Sequence, residues 1–311
     1  MLQLPFDMQA HGVSGEKAYF SYSVAGAGYT IRRARSRGLG SKMTDHPGIA
    51  PKGEAETFEE HILRVNPTAA ALENLSVQPD DDPIIMLNLL RFKPRGDSSI
   101  YSLYARDAAP EVAKTGSFVG FYGKVLSDLD PSLGIDVGWD SVALVVYKRR
   151  RSFLQMQQSP IYQSAVAYRV AGAYARLLYV TKDGANFFEA KETVAGLDNN
   201  REPLAIGKGE IAVIDLFGNS SQDASSALKH FAGQRAHLLE GVGAETLLSL
   251  ETEVPIVSED YWQHCCLTRF PSQEALIAFL ASPGWGDLSQ SINAGPGKHI
   301  SLATESVAIP V

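Results

Sequence analysis

Apolar and polar positions along this chain fall into blocks that predict one order of elements twice. The run Ile84–Phe92 follows the acidic turn Asp80-Asp81-Asp82-Pro83 and is apolar except for Asn88 at its middle and Arg91 near its end. A run of that length and content predicts a buried strand carrying a single amide. Upstream, Glu56 to Gln78 has helical spacing, with Phe58, Ile62, Leu63 and Val65 in one group and Ala69, Ala71, Leu72 and Leu75 in a second. Asn66 or Thr68 caps the second helix, with Pro67 at its start. Downstream, Tyr101, Tyr104, Ala105, Ala108 and Val112 recur at helical spacing until Gly116. Ser117–Ser127 and Trp139–Tyr147 then predict strands, Arg151–Gln163 and Ala165–Val170 helices divided at Ser159-Pro160, and Ala175–Thr181 a further strand. Strand, helix, strand, strand, helix, strand is the split order of a ferredoxin-like α+β fold, in which helices cover one face of a four-stranded antiparallel sheet.

The order returns after a polar linker. Ile211–Phe217, Glu245–Glu251, Asp260–Phe270 and Ile300–Ile309 predict strands, and Ala224–Gly241 and Gln273–Leu280 predict helices. Ser159-Pro160 precedes Ser282-Pro283 by 123 residues; the same shift sets Trp139 on Trp262, and Asn88 falls on Asp215 at a shift of 127. A sheet with helices on one face leaves its other face in water, unfavourable by about 25 cal/mol per Å² of apolar area. Two such sheets in one chain can bury those faces together. The expected organisation is therefore an extension (1–55), a first repeat with a lead-in helix (56–184), a linker (185–209) and a divergent second repeat (210–311). Together the repeats make one α/β barrel, an internal pseudo-dimer, with further homo-oligomerisation left open.

Residues 1–55 mix glycine, arginine and serine without a sustained period and predict a weakly ordered extension. Tyr19–Gly28 imitates a strand entering a phosphate-binding loop, but Ile31 stands where the dinucleotide fingerprint requires a third glycine. Met43 is an alternative start of translation, which the intact mass of the native protein checks. With 311 residues, 45% of them hydrophobic, the chain suits two globular cores. A net charge of -7 opposes a nucleic-acid surface. No segment offers the roughly 20 apolar residues of a membrane span. Cys265 and Cys266 are adjacent on a predicted strand and point to opposite faces, which disfavours a disulfide and suits the cytoplasm.

Pro83–Phe92, Trp139-Asp140, Tyr147, Phe153, Met156–Tyr162 and Arg169-Val170-Ala171-Gly172 resemble the domain-of-unknown-function 1330 family. That family is a branch of the dimeric α/β barrel, ferredoxin-like superfamily. The resemblance spans about residues 66–181. The second repeat is similar only in outline, with Asp215 in place of the asparagine. The family commonly has histidine before its arginine, and this chain has Tyr168. The resemblance implies a fold shared by cofactor-independent monooxygenases, haem-binding enzymes, isomerases and small-molecule regulatory domains, and fold alone selects none of these.

Several side chains are candidates for chemistry. Asn88 must satisfy its amide, either on neighbouring backbone or on a ligand. Arg91 and Arg169 form either a fork for a carboxylate or enolate, or ordinary ion pairs. Asp140 either orients Arg169 or acts as a base, or else caps a turn beside a packing Trp139. Tyr101, Tyr104 and Tyr162 lie on apolar faces, where a core role with a wet hydroxyl competes with substrate binding. Asp215 lies in an apolar strand, where a carboxylate needs a partner; Arg235, His237 and His264 are offered, and a histidine would complete an acid/base pair. His230 and His237 stand two turns apart, about 10.5 Å, too far to share one metal. The expectation is a small-molecule-binding protein needing no metal and no cofactor, with haem held by His230, His237 or His264 as the other possibility. Its catalytic candidates are Asp140, Asp215, His237 and His264; its substrate-binding candidates are Asn88, Arg91, Trp139, Tyr162 and Arg169. The ligand is a small anionic or polyketide-like molecule, acted on by proton transfer or oxygenation. The alternative is a non-catalytic binding protein whose second repeat completes the barrel.

Overall fold

The computed structural model describes residues 7–10, 19–24, 27–32, 57–79, 82–182, 204, 206–219, 234–258, 260, 262–293 and 297–307. Met43, most of the expected linker and the start of the helix expected from Ala224 lie outside these residues. The chain divides into two compact units, Met1–Asp45 and His46–Val311. In the first, β1 (Asp7–Ala10), β2 (Tyr19–Val24) and β3 (Ala27–Arg32) pair antiparallel as a three-stranded sheet. The sequence pattern here predicts no sustained element. The aromatic and β-branched residues of β2 and β3 suffice for short strands once they pair.

The second unit opens with α1 (Phe58–Val65) and α2 (Ala69–Ser76). Thr57 and Glu60 close a capping box on α1, and Thr68 caps α2 by accepting from Ala71 N at 3.1 Å. Thr68 rather than Asn66 takes that role, which leaves the Asn66 side chain for other use. The chain continues through β4 (Ile84–Phe92), α3 (Ser99–Lys114), β5 (Phe118–Val125), β6 (Ser141–Tyr147), α4 (Arg150–Gln158), α5 (Pro160–Gly172) and β7 (Ala173–Thr181). There follow β8 (Ile211–Asn219), α6 (234–240), β9 (Glu245–Val257), β10 (His264–Phe270), α7 (Gln273–Leu280), α8 (Pro283–Asn293) and β11 (Gly297–Ser306).

The eight strands from β4 onward close a barrel in the order β10-β8-β11-β5-β6-β4-β7-β9. Its first four strands lie as β7-β4-β6-β5 and its last four as β11-β8-β10-β9, the same relative order. Two antiparallel ladders join these sets, β7 to β9 and β11 to β5. Strand β9 runs past the expected Glu251 to Val257 because its far end pairs with β7, Thr181 facing Thr252 and Leu178 facing Val257. Across the β7–β9 junction, Arg150 of α4 grips Glu253 of β9 through two bonds, at 2.9 and 2.7 Å.

Strand β4 is buried along its whole length, which explains its near-continuous apolar sequence. Ile85, Leu87 and Leu89 join Leu144, Val146, Leu177, Ile214, Leu216, Leu267 and Leu302 in the barrel interior. Ile84, Met86, Leu90 and Phe92 face outward into a layer shared with α3, α4 and α5. A third cluster, around Val213, Phe217, Phe270, Phe279 and Trp285, fills the corresponding layer of the second half. Alternation puts Asn88 and Asp215 in these outer layers, between sheet and helices.

Candidate functional site

The layer outside β4 is not filled. A cavity of about 100 Å³ lies over the sheet, lined by Met86, Asn88, Leu90, Ala143 and Arg176 below and by α3 above. Space exists because α3 presents Ala105, Ala108 and Ala109 there, where longer side chains would close it. Tyr101, Tyr104, Tyr122, Tyr147 and Tyr162 complete the polar part of the wall.

Asn88 is held from both ends of its amide. Its Nδ2 donates to Met86 O at 3.0 Å and Ala143 O at 3.4 Å, and its Oδ1 accepts from Arg176 Nε at 3.1 Å and Nη2 at 2.5 Å. Arg176 comes from the neighbouring strand β7, is buried, and keeps its Nη1 without a partner. The asparagine thus orients an arginine that lines the cavity and whose Nη1 has no partner.

A second buried guanidinium stands behind Tyr162. Arg169, 1% exposed, donates from Nε at 3.0 Å and Nη2 at 2.7 Å to Asn66 Oδ1, the side chain left available at the end of α1. Its Nη1 reaches Tyr162 Oη at 2.7 Å and Tyr104 Oη at 3.2 Å. Tyr162 and Arg169 are seven residues apart on α5 and share a face. Tyr162 Oη also accepts from Gln157 Nε2 at 3.0 Å and lies 2.9 Å from Tyr104 Oη. Burial raises the pKa of Tyr101 to about 12 and pushes those of Tyr104 and Tyr147 up as well. For Tyr162 burial acts in the same direction, but the charges of Arg169 and Arg176 and the bonds it receives outweigh it and bring the phenol below its ordinary value.

The other expected site residues lie elsewhere. Arg91 stacks over the Tyr174 ring, 4.9 Å from its centroid, and makes no fork with Arg169. Trp139 packs in the barrel-interior cluster with its indole N–H unpaired, as does Trp262. Asp140 accepts from Phe92 N at 2.6 Å and lies 3.7 Å from Arg95 Nε, so it pins the end of β4 and does not orient Arg169.

In the second half, Asp215 Oδ2 accepts from Arg235 Nη2 at 2.5 Å and Oδ1 lies 3.0 Å from His299 Nε2. Arg235 also donates to Thr268 Oγ1 at 2.9 Å. His299 stacks flat on Phe217, ring centroids 4.7 Å apart. Burial opposes ionisation of Asp215, but Arg235 and His299 outweigh it and hold the carboxyl below its ordinary value. The imidazole beside Asp215 is therefore that of His299. His237 is exposed on α6, and His264 meets Ser249 Oγ at 2.9 Å. His230 lies outside the described residues. None of His237, His264 and His299 lines the cavity, so its described residues do not suit haem. Among the described residues no group of three or more His, Cys, Asp or Glu could hold a metal ion.

Arg176, Gln157, Asn66 and His299 are the members of these two buried clusters that pattern reading passes over. Arg176 carries a detectable signal, a cation inside the apolar run Ala175–Thr181, the same criterion that singles out Asp215. The others become visible only when separate elements meet.

No known family model matches the chain, and no curated protein matches it. Among solved structures, an anthrone oxidase-like protein is similar at a TM-score of 0.53 and 11% identity, over 74% of this chain and 92% of its own. A protein of unknown function from Rhodopseudomonas palustris is 28% identical over 39% of this chain and 96% of its own, at a TM-score of 0.35. A mutant chlorite dismutase from Candidatus Nitrospira defluvii is 10% identical over 75% and 95%, at a TM-score of 0.40. The likeness to the anthrone oxidase-like structure shows the fold alone: an antiparallel eight-stranded α/β barrel of the dimeric α/β barrel type.

Proposed function

We propose that this protein binds a small anionic organic molecule, aromatic or polyketide-like, in the cavity beside Asn88 and Arg176, and moves a proton on it without a cofactor. The observation that carries the reading is Arg176, a buried cation that lines the cavity and whose Nη1 has no hydrogen-bond partner. Buried charges are normally paired, because desolvation is costly. Among the described residues neither Arg176 nor Arg169 meets a carboxylate, and a ligand oxyanion supplies what Arg176 lacks. The aromatic wall suits a flat ligand, in keeping with the likeness to an anthrone oxidase-like protein. Resemblance of the first half to the domain-of-unknown-function 1330 family belongs to the same reading, as do descent of the two halves from one duplicated unit and a cytoplasmic setting.

A second reading, binding without chemistry, draws support from the mainly apolar lining and from the lack of a carboxylate among the cavity residues. Mass spectrometry of small molecules released from the natively purified protein tests the proposal. An acidic aromatic compound is expected, and a neutral aliphatic one would contradict it.

A further inference from the structure

Tyr162 Oη meets a buried guanidinium, an amide and a second phenol within hydrogen-bond distance. A neutral phenol offers two acceptor sites and one hydrogen. Arg169 Nη1 at 2.7 Å, Gln157 Nε2 at 3.0 Å and Tyr104 Oη at 2.9 Å approach the Tyr162 oxygen. Tyr104 also receives Arg169 Nη1 at 3.2 Å, and either hydroxyl can donate across the Tyr104–Tyr162 contact. An ionised Tyr162 can accept from all three of these neighbours. Charge balance points the same way. Arg169 is buried at 1% exposure, and its bonding partners are Asn66, Tyr104 and Tyr162, all neutral if Tyr162 keeps its proton.

We infer that Tyr162 is held as a phenolate by Arg169, Gln157 and Tyr104, and that it is the base that removes a proton from an enolisable carbonyl compound bound at Arg176. This inference rests on the anion-binding reading above and names its substrate class. The proton leaves the carbon next to the carbonyl for Tyr162 Oη. The C–H electron pair moves into the carbonyl, and the enolate oxygen so formed accepts a hydrogen bond from Arg176 Nη1, whose two hydrogens serve the ligand's acid group and this oxygen, so the guanidinium keeps its protons. Return of the proton to the same carbon racemises or exchanges it, and return to another carbon isomerises the substrate; no electron is gained or lost. Arg176 is already oriented by Asn88, so the donor is in place before charge develops. The groups that bear on Tyr162 are Tyr101 and Tyr104 of α3, Tyr147 of β6, Arg176 of β7 and Arg169 of α5 itself. Burial raises the three tyrosines among them, which keeps them protonated while Tyr162 ionises.

Two measurements on the full chain test this. In an absorbance titration of the unliganded protein, one phenolate signal should appear below the range of the other tyrosines, vanish in Tyr162→Phe and move to higher pH in Gln157→Met. An unchanged titration in both variants overturns the inference, and Gln157→Met decides if Tyr162→Phe does not fold. Phenylpyruvate, an enolisable aromatic acid, is the second probe. Deuterium exchange at its benzylic carbon should be faster with wild type than with Tyr162→Phe by about a hundredfold. Equal exchange with phenylpyruvate bound to both proteins overturns the base while the anion site stands. Failure of phenylpyruvate to bind wild type removes the reading on which the base depends.

Discussion

Asn88 and Asp215 are each the fifth residue of a nine-residue strand, and each accepts a buried guanidinium at 2.5 Å, from Arg176 and Arg235 respectively. The pairing differs in charge. Asp215 neutralises Arg235 and is itself bridged to His299, so that layer closes on itself. Asn88 orients Arg176 without neutralising it, and the layer above contains a cavity. One heavy-atom difference between amide and carboxylate thus separates a charge-balanced pair from a guanidinium that meets no carboxylate among the described residues.

Replacing Asn88 with Leu removes the acceptor that orients Arg176. Anion binding should weaken about tenfold or more, and unfolding free energy should fall by about 2 kcal/mol, the range for a hydrogen bond to a charged group. Isothermal calorimetry and urea unfolding measure the two effects. Retained binding would show that Asn88 serves the sheet alone.

Asp215 gives a pH signature. Its folded-state pKa lies below the ordinary carboxylate value, so the ionised form stabilises the fold. That contribution is full above the unfolded value of 3.8 and is lost as pH falls through the lower folded value. Asp215→Asn should therefore cost about 3 kcal/mol at neutral pH, as expected when a buried ion pair loses one member. The gap between the variant and wild type should narrow in acid. A constant gap down to the lowest pH at which the protein folds would contradict the assignment.

Gly172 closes α5 where it passes the start of α3. A Cβ there would lie 2.6 Å from Tyr101 N, a backbone atom that cannot swing aside. Gly172→Ala should destabilise by about 1–3 kcal/mol. It should also disturb the cavity, since Tyr101 is one of its walls. A melting temperature equal to wild type would mean that the two helices separate freely.

How far the sequence exposes this arrangement depends on the range of the interaction. The order of strands and helices is legible because each element carries its own period, and β4 announces itself by nine buried positions. Barrel closure is not written in any one segment. It depends on β9 reaching β7 and β11 reaching β5, pairings across more than 70 and 170 residues. Within the site, Asn88 and Asp215 stand out as polar residues in apolar strands, whereas Asn66 looks like one more helix cap until Thr68 takes that role. Trp139 and Asp140 mislead for the opposite reason, since a tryptophan and a carboxylate at a strand entrance serve packing and pinning as readily as chemistry.

Both cysteines should be inert in the folded protein. Cys265 and Cys266 are buried, and burial raises both thiols, that of Cys266 to about 11. Little thiolate then exists at neutral pH, and the thiolate is the reactive form. A chromogenic disulfide reagent should label neither until denaturant is added. Rapid labelling of the native protein would contradict their burial.

The central claim is that Arg176 waits for an anion, and one calorimetric comparison tests it most directly. Phenylpyruvate and its neutral methyl ester are titrated into wild type and into Arg176→Met. Wild type should bind the acid about tenfold or more tightly than the ester, and the variant should bind both alike. Equal binding of acid and ester by wild type, no binding of the acid, or an undiminished preference in Arg176→Met would contradict the account.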